Sequence, residues 1–285
     1  MRKRFMAMSE MEMTGAITTR PTLHSSGLKR VLAIARNTFR ESVRDRVLYN
    51  LILFMLLLVG ASVFVGDLAV DLESKFTATL GLSAMLVFGS LIAIFIGVGL
   101  VYKEIDKRTI YNLLSKPVHR HEFITGKYLG LCMTLLVNTA VMVAGTEVAL
   151  LIVNGGFVEL HASVLAASYL IYLELTLLVA VALMFSSFTT PMLAALFSFA
   201  VYVIGNFSKD LLIAAQITDS ALTRQLLKTL YYLLPNLSNY GFITQASHGQ
   251  MLPLEKALLA TLYTAVYVAI LISASALIFQ RRNFK

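Results

Sequence analysis

A chain of 285 residues could hold one or two soluble domains, but 58% hydrophobic against 14% charged residues leaves too little polar surface to solvate a globule. With a mean hydropathy of +0.76, the solvent must be largely lipid. The net charge of +8 raises nucleic acid as a partner, yet the Lys and Arg flank apolar stretches instead of forming a stripe interleaved with exposed aromatics, so no nucleic acid is expected.

The chain opens with the basic cluster Arg2, Lys3 and Arg4 but lacks the apolar core and small-residue cleavage site of a signal peptide. Residues 1–27 are expected to be a mobile tail. From Leu28 to Val47, Leu28, Val31, Leu32, Ala35, Phe39 and Val43 recur at spacings of three and four, beside the basic row Arg36, Arg40 and Arg44. That pattern predicts an amphipathic helix over 28–46, and its basic face suits the headgroups of anionic lipid. A plain topology anchor ahead of the first span is the alternative.

Membrane spans follow from length. A bilayer core of about 30 Å takes about 20 apolar residues in helical form, because only the intrahelical ladder satisfies the backbone where there is no water. Six stretches approach that length: Val47–Val65, Ala78–Tyr102, Tyr128–Val153, Ala162–Phe185, Met192–Phe207 and Ala257–Phe279. The expected fold is all-α, one polytopic membrane domain over 47–285, with a fifth span short enough to thin the bilayer or run a turn further. Nineteen of the 24 Lys and Arg fall before the first span, in the second connection or after the last. Cytoplasmic segments retain positive charge, so both termini are expected in the cytoplasm, with a bacterial plasma (inner) membrane as the setting.

The second connection, 103–127, is long for a simple reversal. Ile110, Leu113 and Leu114 share one side of a helical stretch from Lys107 to Ser115, Pro117 disfavours helix at Lys116, and the chain can restart a helix from Arg120. A projecting helix with an apolar face needs either its own membrane domain or a partner to cover it.

Glu104, Thr109, Ile110, Leu113, Leu114, Ser115, Pro117, Val118, Arg120, Glu122, Phe123, Gly126, Lys127 and Gly130 together resemble the connection after the second span in six-span permeases of ATP-binding-cassette (ABC) exporters. The permease of the nitrous-oxide-reductase (multicopper enzyme) maturation system is among them. The resemblance extends over the order of elements from residue 28 to 285 and leaves the first 27 residues out. It implies a coupling helix that docks into a cleft of a separate ATP-binding subunit, with Glu104, Thr109, Ile110, Leu113, Leu114, Pro117, Arg120 and Glu122 at or near the docking surface. It also implies that the turn Ser186–Pro191 makes a second, smaller contact there; a tight connector with Pro191 in the first turn of the next helix explains that turn equally well. ATP and Mg would belong to the partner ATPase, and this chain would bind no cofactor. Six spans are few for an enclosed route, so a homodimer, or a heterodimer with a second permease, is expected.

The external segment 208–256 is too long for a turn. Leu222, Leu226, Leu230 and Leu233 predict a helix that Pro235 and Asn236 stop, lying on the outer leaflet or capping the pathway as a structural lid. Within the spans, Glu174 and Glu147 stand out because carboxylates at a helix centre are costly, about 2.5–3.5 kcal/mol for Asp on insertion scales. They are candidates for lining a pathway, binding a cation or taking up a proton. Asn138, Thr146 and Thr176 could instead hydrogen-bond them as interhelical glue.

Several chemistries have no motif to carry them. There is no G-x-x-x-x-G-K-[ST] phosphate loop, no H-E-x-x-H and no G-x-S-x-G. The single cysteine, Cys132, allows no intramolecular disulfide and no cysteine-based zinc site. His119 and His121 read as part of a basic loop, and His161 and His248 as loop residues without companion ligands. Two functions of different class remain: a non-catalytic ABC permease subunit, or an ATPase-independent intramembrane enzyme or ion-coupled carrier using Glu147 and Glu174. A carrier would show repeated halves or paired broken helices, and the sequence displays neither clearly.

Overall fold

A computed structural model describes residues 27–44, 72–106, 120–156 and 160–281, with the single positions 53 and 60. The tail to residue 26, nearly all of the expected first span and the centre of the second connection, 107–119, lie outside the described residues. Within them, all regular structure is helical.

The leading helix, α1, runs Gly27–Arg44, where the amphipathic pattern predicts it. Helix α2 covers Glu73–Asp106 and α3 covers Arg120–Asn154, so the expected second and third spans are longer than their apolar runs. At about 1.5 Å per residue, 34 and 35 residues give about 50 Å each, well beyond a bilayer core of about 30 Å. Helix α3 does begin at Arg120, as the restart after Pro117 requires. Helix α4, Leu160–Ser186, agrees with the expected fourth span to within two residues. It is apolar on every side because protein surrounds it: Leu177, Leu178, Ala180 and Ala182 are fully buried. It packs against α2 and α3 and against the last helix, α9, described below.

Helix α5, Pro191–Asn206, covers the expected short fifth span, and the chain then turns by 64° at Phe207 into a ten-residue second piece, α6, Ser208–Ile217. At 16 residues, α5 is about 24 Å long and does not cross the core unaided. The cause lies in its last turn. Asn206 donates to the Tyr202 carbonyl and to Glu174 on α4, and Ser208 Oγ donates to the Gly205 carbonyl, so side chains occupy the helix end. Gly205 lets the chain at 235–237 come in: a Cβ there would lie 2.8 Å from the Pro235 carbonyl oxygen and from Leu237 Cγ.

Segment 208–256 divides into two unlike parts. Helix α7, Ala221–Leu233, is the helix expected there, started by Ser220, whose hydroxyl accepts from the Thr223 amide. None of its residues is buried, and Leu222, Leu226 and Leu233 are exposed. The stretch after it turns inward through a 3-10 turn at Leu237–Tyr240 and a short helix, α8, Ile243–Ser247. Leu237, Tyr240, Phe242 and Ala246 belong to the main hydrophobic core, and Ser163 Oγ on α4 donates to the Ala246 carbonyl at 2.9 Å. This half caps the ends of α2 and α4. The last helix, α9, runs Leu254–Arg281 on the periphery and exposes Leu258, Leu262, Val266, Ile270 and Leu277.

Four helices are long and apolar enough to cross a membrane among the described residues: α2, α3, α4 and α9. The bent pair α5 and α6 makes a fifth if it counts as one span.

Candidate functional site

The end of the bundle from which α2 runs out at Asp106 and α3 sets out at Arg120 is where the sequence places docking chemistry. Glu104 and Arg120 lie in the terminal turns of those helices. Thr109, Ile110, Leu113, Leu114 and Pro117 lie outside the described residues. Glu122 is well defined: it is 6% exposed and faces inward, onto α1. Arg30 of α1 reaches it with a two-pronged contact, Nη2 to Oε1 at 2.7 Å and Nε to Oε2 at 3.0 Å. Paired donors on a carboxylate fix direction as well as distance. The hydrogen bond that Arg30 donates to Glu122 also raises the Arg30 pKa above its ordinary value.

Beyond this ion pair, α1 and α3 meet backbone to backbone. A Cβ at Gly126 would lie 2.8 Å from the Ile34 side chain and 3.0 Å from the Val31 carbonyl oxygen; one at Gly130 would lie 2.5 Å from the Ala35 carbonyl oxygen. The glycine pair, four residues apart on one face of α3, is therefore a seat for α1. Against it α1 buries Ala35, Thr38 and Ser42. The apolar arc read from the sequence is thus divided in two. Of its other residues, Val31 and Phe39 are half-buried and Leu28, Leu32 and Val43 stay exposed, beside the exposed Arg36 and Arg40.

The turn between α4 and α5 is held by its own hydroxyls. Ser187 Oγ donates to the Met184 carbonyl at 2.6 Å and Thr189 Oγ1 to the Phe185 carbonyl at 2.9 Å, and Pro191 opens α5, where its missing N–H costs nothing. Phe188 and Met192 are exposed beside it.

The intramembrane candidates do not form one cluster. Glu174, 2% exposed and midway along α4, accepts from Asn206 Nδ2 at 3.1 Å, at the break between α5 and α6. Asn138 is buried on α3, and its Nδ2 has no hydrogen-bond partner among the described residues. Glu147 lies near the other end of α3, with Oε2 against Nδ1 of His161. His161 had been placed in a loop without companions; α4 begins two residues earlier than its apolar run, which brings the imidazole into the first helical turn and buries it. Among the described residues, no group of three or more His, Cys, Asp or Glu could hold a metal.

With this geometry in place, comparison with known families is decisive: residues 32–284 match the family of ABC-2 transporter proteins. The chain belongs to the ABC-2 transporter family. It is the membrane permease subunit of an ABC transporter, and members of this family generally work with a separate ATP-binding cassette ATPase as non-catalytic transport subunits. No curated protein matches it. Three residues that pair with the candidate carboxylates escaped the sequence. Arg30 lies 92 positions from its partner Glu122, and no periodicity reports such a pair. His161 needed the start of α4 to be set correctly. Asn206 was visible only as the polar end of a short span, although a carboxylate at mid-depth on the preceding helix was a signal that some donor must reach it.

Proposed function

We propose that segment 103–127 of this permease is the docking element for its ATP-binding subunit, and that α2 and α3 are the levers that carry closure of that subunit into the membrane. The observation that supports this most is that both helices continue unbroken past their apolar stretches to flank residues 107–119. A rigid helix transmits a displacement at one end to the other, whereas a flexible connector absorbs it. Helix α1, fastened to the α3 lever by Arg30, Gly126 and Gly130, moves with it and lies along the membrane surface with Leu28, Leu32 and Val43 in lipid. Glu122 serves as the fastening, Glu104 and Arg120 as the rims of the docking surface, and exposed Phe188 and Met192 as the second, smaller contact.

In this account both termini are cytoplasmic, the membrane is the bacterial plasma (inner) membrane, ATP and Mg are held by the partner, and two permease subunits, identical or related, complete the route. The resemblance to the nitrous-oxide-reductase maturation permease supports export, or transmission of force to an external partner. Replacing Glu104 and Pro117 together by Ala tests the docking element. Transport by the assembled complex should fall on the order of ten-fold or more, a loss of about 1.4 kcal/mol of coupling, while ATP hydrolysis and membrane insertion persist. Wild-type coupling in that variant would remove the docking role from this segment.

A further inference from the structure

At the opposite end of the bundle, a groove of about 780 Å³ opens between the start of α6, the chain at 239 and the outer half of α9. Its volume lies in the usual range for organic ligands, about 300–1,000 Å³. Its two ends differ in chemistry. Lys209 and Lys256 stand at the mouth, and Leu259, Leu262, Tyr263 and Val266 line the wall that runs down α9 into the apolar belt.

Both ammonium groups are aimed by the external cap. Lys209 donates to the Ser238 carbonyl at 3.3 Å; Lys256 donates to the Gly241 carbonyl at 3.1 Å and lies 4.9 Å from the centre of the Phe242 ring. Each has three N–H donors, so one backbone acceptor leaves two for another ligand. Both lysines line the same groove. No carboxylate lies within ion-pairing distance of either among the described residues. Glu255 also lines the groove, but it is exposed and leaves the mouth net positive. Two cations above an apolar wall that faces lipid are complementary to an anionic headgroup carrying an acyl chain.

We infer that this groove binds one phospholipid of the surrounding bilayer, with its phosphate between Lys209 and Lys256 and an acyl chain along α9. The site rests on the membrane placement of α9 and not on ATPase docking, so it stands or falls separately from the coupling segment.

The test uses the full chain purified in mild detergent and offered equal amounts of dioleoylphosphatidylglycerol and dioleoylphosphatidylcholine, with retained lipid counted by native mass spectrometry. The wild type should retain the anionic lipid on the order of ten-fold over the zwitterionic one, and Lys209→Gln with Lys256→Gln should lower that preference roughly three-fold or more, the remainder being due to the basic row of α1. Val266→Trp, which fills the wall and leaves both charges in place, should reduce retention of both lipids. Undiminished preference in the double lysine variant would overturn the site. Displacement of the lipid by millimolar inorganic phosphate would overturn it as a phospholipid site, because the acyl chain would then contribute nothing.

Discussion

Gly130→Leu is expected to detach α1 from α3 and to abolish most transport while the spans remain folded. Leucine is a good helix former, and removing glycine from a helix interior alone gains about 1 kcal/mol. Here the gain is outweighed. The first added carbon would lie 2.5 Å from the Ala35 carbonyl oxygen, a backbone atom that no rotamer change can move aside, and 2.6 Å from Thr38 Cβ. Overpacking of this kind costs about 1–3 kcal/mol for a small insertion, and a whole isobutyl group exceeds what the seat can absorb. The helices must therefore separate, and the Arg30–Glu122 contact, 2.7 Å at its shortest, is drawn apart with them. Amide hydrogen exchange over residues 27–44 should accelerate roughly ten- to a hundred-fold, the equivalent of about 1.4–2.8 kcal/mol of lost local stability, with exchange in α4 unchanged. Unaltered exchange in α1 would mean that its seat on α3 is not what holds it.

The second large effect is expected at the break in the fifth span. Glu174→Leu removes one of the two acceptors of the Asn206 amide, the other being the Tyr202 carbonyl, in a site that is 2% exposed at Glu174. A half-buried donor deprived of one of its two partners costs about 1 kcal/mol, and the groups nearby that depend on this junction include Gly205 and the inward-turned chain at Pro235 and Leu237. Glu174→Gln keeps a carbonyl oxygen in the same place. The glutamine variant should therefore match the wild type in thermal stability and transport, while the leucine variant loses both. Loss of transport in the glutamine variant at native stability would assign the carboxylate's charge to the pathway instead of to the hinge.

How far the sequence alone reaches can be judged residue by residue. Helices marked by their own apolar pattern were readable: α4 came within two residues of its apolar run, and α7, though exposed, was located by leucines three and four apart and by Pro235. Helix α1 was readable as a helix but only half as a surface. Its apolar arc is one stripe in the sequence, whereas packing against Gly126 and Gly130 divides it into a face on α3 and an exposed remainder. The bend after Asn206 was not readable, because α5 is apolar up to Gly205 and the bend is made by Glu174 and Pro235, 32 residues before and 29 after Asn206 in the chain. The inward turn of 237–246 escaped for a related reason. Its buried Tyr240 and Phe242 are interspersed with Ser, Asn and Gly, a composition that resembles an ordinary loop until Thr264 and the Ser163 hydroxyl of α4 supply hydrogen-bond partners. The roles of Glu104, Thr109, Ile110, Leu113, Leu114, Pro117 and Arg120 rest on resemblance and on the helices that flank them, which is why experiment must begin there.

The most direct measurement is purification of the tagged protein from native membranes in mild detergent, with mass spectrometry of what accompanies it and an ATPase assay on the product. The account predicts an ATP-binding cassette subunit in stoichiometric amount, lost when residues 103–127 are altered and retained when Lys209 and Lys256 are. Recovery without any ATPase, or an ATPase that stays bound after the 103–127 segment is replaced, would contradict it.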